Sequence, residues 1–99
     1  MEELVKQGLL YDFYGELLTE HQKNVYEDLV FNNYSVSEIA EEYGVSRQAA
    51  SDLIKRINKI LTSYEEKLKL VYKFTAIKNK VLAMENLSDE QKDLILKEL

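Results

Sequence analysis

No proline occurs anywhere in this chain, and glycine occurs only at positions 8, 15 and 44. These are the two residues that most readily stop a helix, so the backbone has few built-in breaks. The constraint is tightest from Arg47 to about Met84, where neither residue nor a clear cap appears. An all-α fold is therefore expected: a helical bundle with a long fourth helix over about 47–84 and a short C-terminal helix over about 88–98. The chain has 99 residues, which suits a single domain, 1–99. Its 45% apolar and 31% charged residues can supply both a core and a hydrated surface, which excludes a disordered chain.

Apolar spacing and caps divide the front half. Leu10, Phe13, Tyr14, Leu17 and Leu18 recur at helical spacing and form one face over about 3–18. Gly8 and Gly15 each cost about 1 kcal/mol relative to alanine in a helix interior. Close packing at these positions, or fraying near Gly8, accounts for them. Thr19-Glu20-His21-Gln22 has the pattern of a capping box and opens a second helix with Val25, Tyr26, Leu29 and Val30 as its stripe. Asn32-Asn33 is a turn signal. Ser35-Val36-Ser37-Glu38 is a second capping box, and Gly44 stands where a helix ends in the left-handed conformation. Ser46 is the next N-cap.

The long fourth segment would extend about 57 Å at 1.5 Å per residue. Its stripe runs through Ala50, Leu53, Ile57, Ile60/Leu61, Tyr64, Leu68, Val71, Phe74, Ile77, Val81 and Met84. Two successive three-residue steps at Val71-Phe74-Ile77 are a phase slip and the expected place for a bend or break. Ser88-Asp89-Glu90-Gln91 is a third capping box, opening a helix that carries Leu94, Ile95 and Leu96.

Residues 36–55 have the arrangement of a helix-turn-helix. Ala40 is small where two helices meet, Gly44 turns the chain, Ser46 caps the second helix, and Ile39, Val45 and Leu53 are expected to plug the angle. The alternative is a plain helical corner. If the unit reads DNA, the outward residues are Ser46, Arg47, Gln48, Ser51, Asp52 and Lys55. Arg47 and Gln48 suit guanine and adenine edges, while Lys55, Arg56 and Lys59 suit phosphates. A merely solvated face would carry similar polar residues.

Charge supports the first reading. The net charge of −5 is uneven. Residues 1–45 carry two bases against ten acids, net −8; residues 46–80 carry nine bases against three acids, net +6; residues 81–99 are net −3. Positive charge therefore begins where the second helix of the motif begins, as a nucleic-acid face on an acidic protein requires. Mutual attraction of acidic and basic segments, within one fold or across a dimer, is the alternative.

Leu10-Tyr-Asp-Phe-Tyr-Gly-Glu-Leu-Leu-Thr-Glu-His-Gln22, Ser37-Glu-Ile-Ala-Glu-Glu-Tyr-Gly-Val-Ser-Arg-Gln-Ala49, Ile54-Lys-Arg56 and Tyr64-Glu-Glu-Lys-Leu68 together resemble the YlxM family of small bacterial helix-turn-helix proteins. The middle is also similar, more loosely, to the DNA-reading C-terminal domain of bacterial sigma factors. The YlxM resemblance implies an all-helical protein. It also implies a regulatory or accessory role in the signal recognition particle pathway, because the family's gene usually neighbours that of the particle's GTPase. Family members commonly carry a bulkier pair where this chain has Ala50-Ser51.

Other chemistries find little support. Without cysteine, disulfides and thiolate metal sites are excluded. His21 is the one histidine and sits in a capping box, so it is expected to be structural or solvated. Glu41-Glu42 and Glu65-Glu66 are sequence neighbours, diverging by about 100° on a helix rather than converging. No phosphate loop, nucleophile elbow or cofactor motif is visible, so neither enzyme activity nor a cofactor is expected. The N-terminal Met1-Glu2-Glu3-Leu4-Val5-Lys6 is acidic with no apolar run after it, and a cytoplasmic protein is the expectation. Expected partners are DNA, or signal recognition particle RNA or protein, without membrane insertion. The compact part is expected to end near Ile60. From Leu61 onward the stripe requires cover, which the C-terminal helix or a homodimer through the long helix would supply. Seven tyrosines are mainly core candidates, with Tyr11, Tyr34 and Tyr72 the ones to examine for exposure.

Overall fold

A computed structural model describes residues 3–99. Met1 and Glu2, which open the acidic N-terminal stretch, lie outside the described residues. All regular structure among those residues is helical: α1 (Glu3–Tyr14), a 3₁₀ turn (Gly15–Leu17), α2 (Glu20–Val30), α3 (Val36–Tyr43), α4 (Arg47–Leu68), α5 (Leu70–Leu82) and α6 (Asp89–Leu96). The chain forms two compact units, Met1–Leu68 and Lys69–Leu99.

In the first unit the caps form as their sequences require. The Thr19 side chain accepts from the Gln22 N–H at 3.2 Å, and the Gln22 side chain accepts from the Thr19 N–H at 3.0 Å. Ser35 and Glu38 make the same reciprocal pair at 3.1 and 3.0 Å. Each box satisfies two N–H groups that a helix start leaves without intrahelical partners. The chain reverses after α2 through Asn33, which is left-handed at φ 59°.

The core of this unit gathers Leu10, Tyr14, Leu18, Val25, Tyr26, Ile39, Ala40, Ala50, Ile54, Ile57 and Leu61. Its polar atoms are paired across helices. Tyr26 Oη donates to Asn58 Oδ1, which also accepts from Gln7 Nε2 at 3.4 Å. Tyr14 Oη donates to Glu65 Oε1 at 2.5 Å, and the Tyr14 and Tyr64 rings stack with centroids 6.0 Å apart. Close packing at Gly15 is real: a Cβ there would lie 2.9 Å from the Tyr11 ring. That ring donates its hydroxyl to Glu27 and stacks on Tyr26. At Gly8 an added Cβ would make only ordinary contact with Val30, 3.7 Å away.

Several expectations are corrected. The compact unit does not stop near Ile60, because Leu61 is fully buried and α1 reaches Glu65 through Tyr14. Leu17 is exposed, since the switch to a 3₁₀ turn at Gly15 changes the phase of the α1 stripe. Most importantly, 47–84 is not one helix. It is divided at Lys69, which is left-handed at φ 55°, and α5 ends at Leu82. The break falls two residues before the phase slip at Val71. The slip itself, Val71-Phe74-Ile77, lies inside the unbroken α5, so the break expected there does not occur.

In the second unit, the Ser88 side chain accepts from the Gln91 N–H at 3.1 Å and the Gln91 side chain accepts from the Ser88 N–H at 2.8 Å. Lys92 Nζ donates to the Leu82 carbonyl at 2.9 Å, tying α6 to the end of α5. Val81 is buried, whereas Leu94 and Ile95 on α6 are exposed.

Candidate nucleic-acid interface

The turn between α3 and α4 sets the interface. Gly44 is left-handed at φ 67°, a conformation that costs an L-residue with a side chain about 1–2 kcal/mol. Its N–H reaches the Ala40 and Glu41 carbonyls, and the Val45 N–H donates to Ala40 O at 2.9 Å. The helix therefore ends on satisfied carbonyls. Ser46 Oγ then accepts from the Ala49 N–H at 3.0 Å and starts α4.

The angle between α3 and α4 is filled differently from expectation. Ile39 is fully buried and Leu53 is half-buried, but Val45 is 44% exposed. Val45 contributes its backbone N–H to the turn, while Ala50 and Ile54 are buried. Ala50 has no exposed surface. The small residue at this position lets the two helices approach closely.

Of the eight residues singled out for DNA, Ser46, Arg47, Gln48, Asp52, Lys55, Arg56 and Lys59 are exposed, and Ser51 is half-buried. Arg47 Nε donates to Ser37 Oγ at 3.2 Å, and Gln48 Nε2 donates to Asp52 Oδ1 at 2.9 Å. Ser37 was not among the sequence candidates. Nothing local marks it, because its partner lies ten positions away. The two bonds orient the donors at the start of α4. Arg47 bonds through Nε, so its terminal nitrogens are left out of that bond and suit a two-point contact. Among the described residues, no three His, Asp or Glu side chains are arranged to hold a metal ion. His21 is exposed and packs edge-on against Tyr43 at 5.6 Å.

A family model described as "Putative helix-turn-helix protein, YlxM / p13 like", UPF0122, matches residues 1–98. The chain belongs to the UPF0122 family. It is 47% identical over 89 residues to a UPF0122 protein of Desulforamulus reducens, covering 90% of this chain and 76% of that protein. A UPF0122 protein of Clostridium novyi is 48% identical over 91 residues, covering 90% and 78%. One from Bacillus licheniformis is 44% identical over 91 residues, covering 92% and 85%. The family's description is that of a helix-turn-helix protein and not of an enzyme. Among the described residues, no helix of this UPF0122 chain is long and apolar enough to cross a membrane.

Proposed function

We propose that this chain is a cytoplasmic nucleic-acid-binding regulator that lays the first half of α4 in a DNA major groove and acts by binding, without catalysis. The carrying observation is the row of exposed polar side chains directly after the Gly44 turn, Arg47, Gln48, Asp52 and Lys55, where the chain's charge turns positive. Arg47, held by Ser37, reads a guanine edge, and Gln48, held by Asp52, reads an adenine edge. Ser46 and Ser51 flank these contacts. Lys55, Arg56 and Lys59 meet phosphates and make binding salt-dependent. A mobility-shift series tests the reading. Arg47→Ala should weaken a specific site by about 5- to 150-fold, following about 1–3 kcal/mol for a bidentate base contact, and random DNA far less. Wild type that binds no DNA at low salt overturns the proposal, and equal losses on both DNAs reduce Arg47 to a phosphate contact.

A homodimer through the α4–α5 region belongs to the same reading. On α5, Leu70, Ile77 and Leu82 are each more than 40% exposed. Two helix-turn-helix units related by a two-fold axis suit a pseudo-palindromic site.

One observation favours a second reading. Tyr72 is 69% exposed on α5, a helix with four lysines, counting Lys69 at its cap, and no acidic residue. An aromatic ring among cations is a platform for an unpaired base. This supports contact with signal recognition particle RNA, or with its protein, as the family resemblance implies. Purified particle RNA and GTPase should then shift on addition of the protein; if neither does, this second reading is lost.

A further inference from the structure

The second half of α4 carries a feature that overlaps the DNA-contacting set only at Arg56 and Lys59. Arg56, Lys59, Ile60, Ser63, Tyr64 and Lys67 line an open groove of about 400 Å³. On an ideal helix with 100° per residue, this groove is centred about 100° round from Gln48, Ser51, Asp52 and Lys55. It is therefore a flank and not a continuation of the reading face. Its rim is cationic, none of its lining residues is acidic, and its floor is apolar. The floor is also held in place, since Tyr64 stacks on the buried Tyr14, whose hydroxyl is bonded to Glu65.

The chain contains a surface of the opposite character. Glu90, Asp93, Leu94 and Lys97 line a shallow depression of about 320 Å³ on α6. Leu94 is 62% exposed and the neighbouring Ile95 is 42% exposed, on a helix with two acids in its first turn. An amphipathic helix that leaves leucine and isoleucine in water beside carboxylates fits a groove with an apolar floor and a cationic rim.

We propose that α6 of a second copy of this chain docks in the α4 groove, Leu94 against Ile60 and Tyr64, and Glu90 and Asp93 beside the Arg56–Lys67 rim. Each copy carries both halves of the contact, so a two-fold pair of copies makes it twice. The proposal rests on the homodimer put forward above and is independent of DNA reading. It has a consequence for that reading, because Arg56 and Lys59 lie on both the groove rim and the phosphate-contacting set. In the dimer they are shared with carboxylates, and the reading residues from Arg47 to Lys55 remain clear of the contact.

Sedimentation equilibrium without nucleic acid, over a range of protein concentrations, tests the contact. Wild type should approach 23.2 kDa, twice the 11.6 kDa chain. Arg56→Glu/Lys67→Glu and Glu90→Lys/Asp93→Lys should each raise the dimer dissociation constant at least tenfold at unchanged helicity by circular dichroism. All four positions are exposed, so folding should survive. An equimolar mixture of the two variants should recover a mixed dimer, because it makes one wild-type contact and one contact with the charges exchanged. A monomeric wild type overturns both the homodimer and the docking. A dimer indifferent to both charge reversals, or a mixture that recovers nothing, overturns the docking alone.

Discussion

Arg47 Nε donates to Ser37 Oγ at 3.2 Å, joining the start of α4 to the first turn of α3. The bond spans the motif's turn and restrains a side chain that would otherwise lose considerable rotamer freedom on binding. Ser37→Ala removes the restraint and leaves the guanidinium in place. Specific DNA affinity should fall about 3- to 10-fold, less than for Arg47→Ala, with affinity for random DNA unchanged. Parallel titrations of both duplexes check this.

Gly44→Ala isolates the cost of the turn. An added Cβ would meet no atom within 4 Å, so the penalty comes from the left-handed backbone at φ 67° and not from a clash. A loss of about 1–2 kcal/mol is expected in urea unfolding. Gly44→Asn should lose less, because asparagine tolerates that conformation better.

Asn58 is the shared acceptor beneath α1 and α2, taking hydrogen bonds from Tyr26 and Gln7. Tyr26 has no exposed surface, so Asn58→Ala leaves its hydroxyl without this acceptor in the core. The expected loss is about 1–3 kcal/mol. Adding Tyr26→Phe to Asn58→Ala should cost less than the sum of the two single changes, which a double-mutant cycle by chemical denaturation measures.

Alkaline pH should destabilise the first unit. Burial, then the hydrogen bond to Asp28 and its negative charge, push Tyr43 up to about 12 from 10.0. Tyr11 and Tyr26 are also raised, first by burial. Below pH 10 the tyrosine is protonated in both states and its contribution is fully present. Between 10 and 12 the unfolded chain gives up the proton that the folded chain keeps. Stability therefore falls as pH rises, and the contribution is lost as pH passes through 12. Melting temperatures from pH 9 to 11.5 should show this slope, and Tyr43→Phe should reduce it while leaving the share of Tyr11 and Tyr26.

The features readable in the sequence are those settled within a few residues. The capping boxes at Thr19–Gln22, Ser35–Glu38 and Ser88–Gln91 close over three positions, so the side chains that make them stand beside the backbone groups they satisfy. Gly44 is equally local, since left-handed backbone selects for a missing Cβ wherever the chain lies. Apolar periodicity likewise determined that the chain would be helical and which residues needed cover. It could not determine what would cover them. Leu61 is buried on the stretch of α4 that α1 reaches through Tyr14, and Val45 is exposed while Ala50 and Ile54 are buried. Asn58 and Ser37 became important through partners 32 and 10 positions away, respectively. The phase slip at Val71-Phe74-Ile77 did not mark the break, which falls at Lys69 and leaves the slip inside α5. A left-handed lysine is locally unfavourable, so backbone preference alone gives no reason to place the break there.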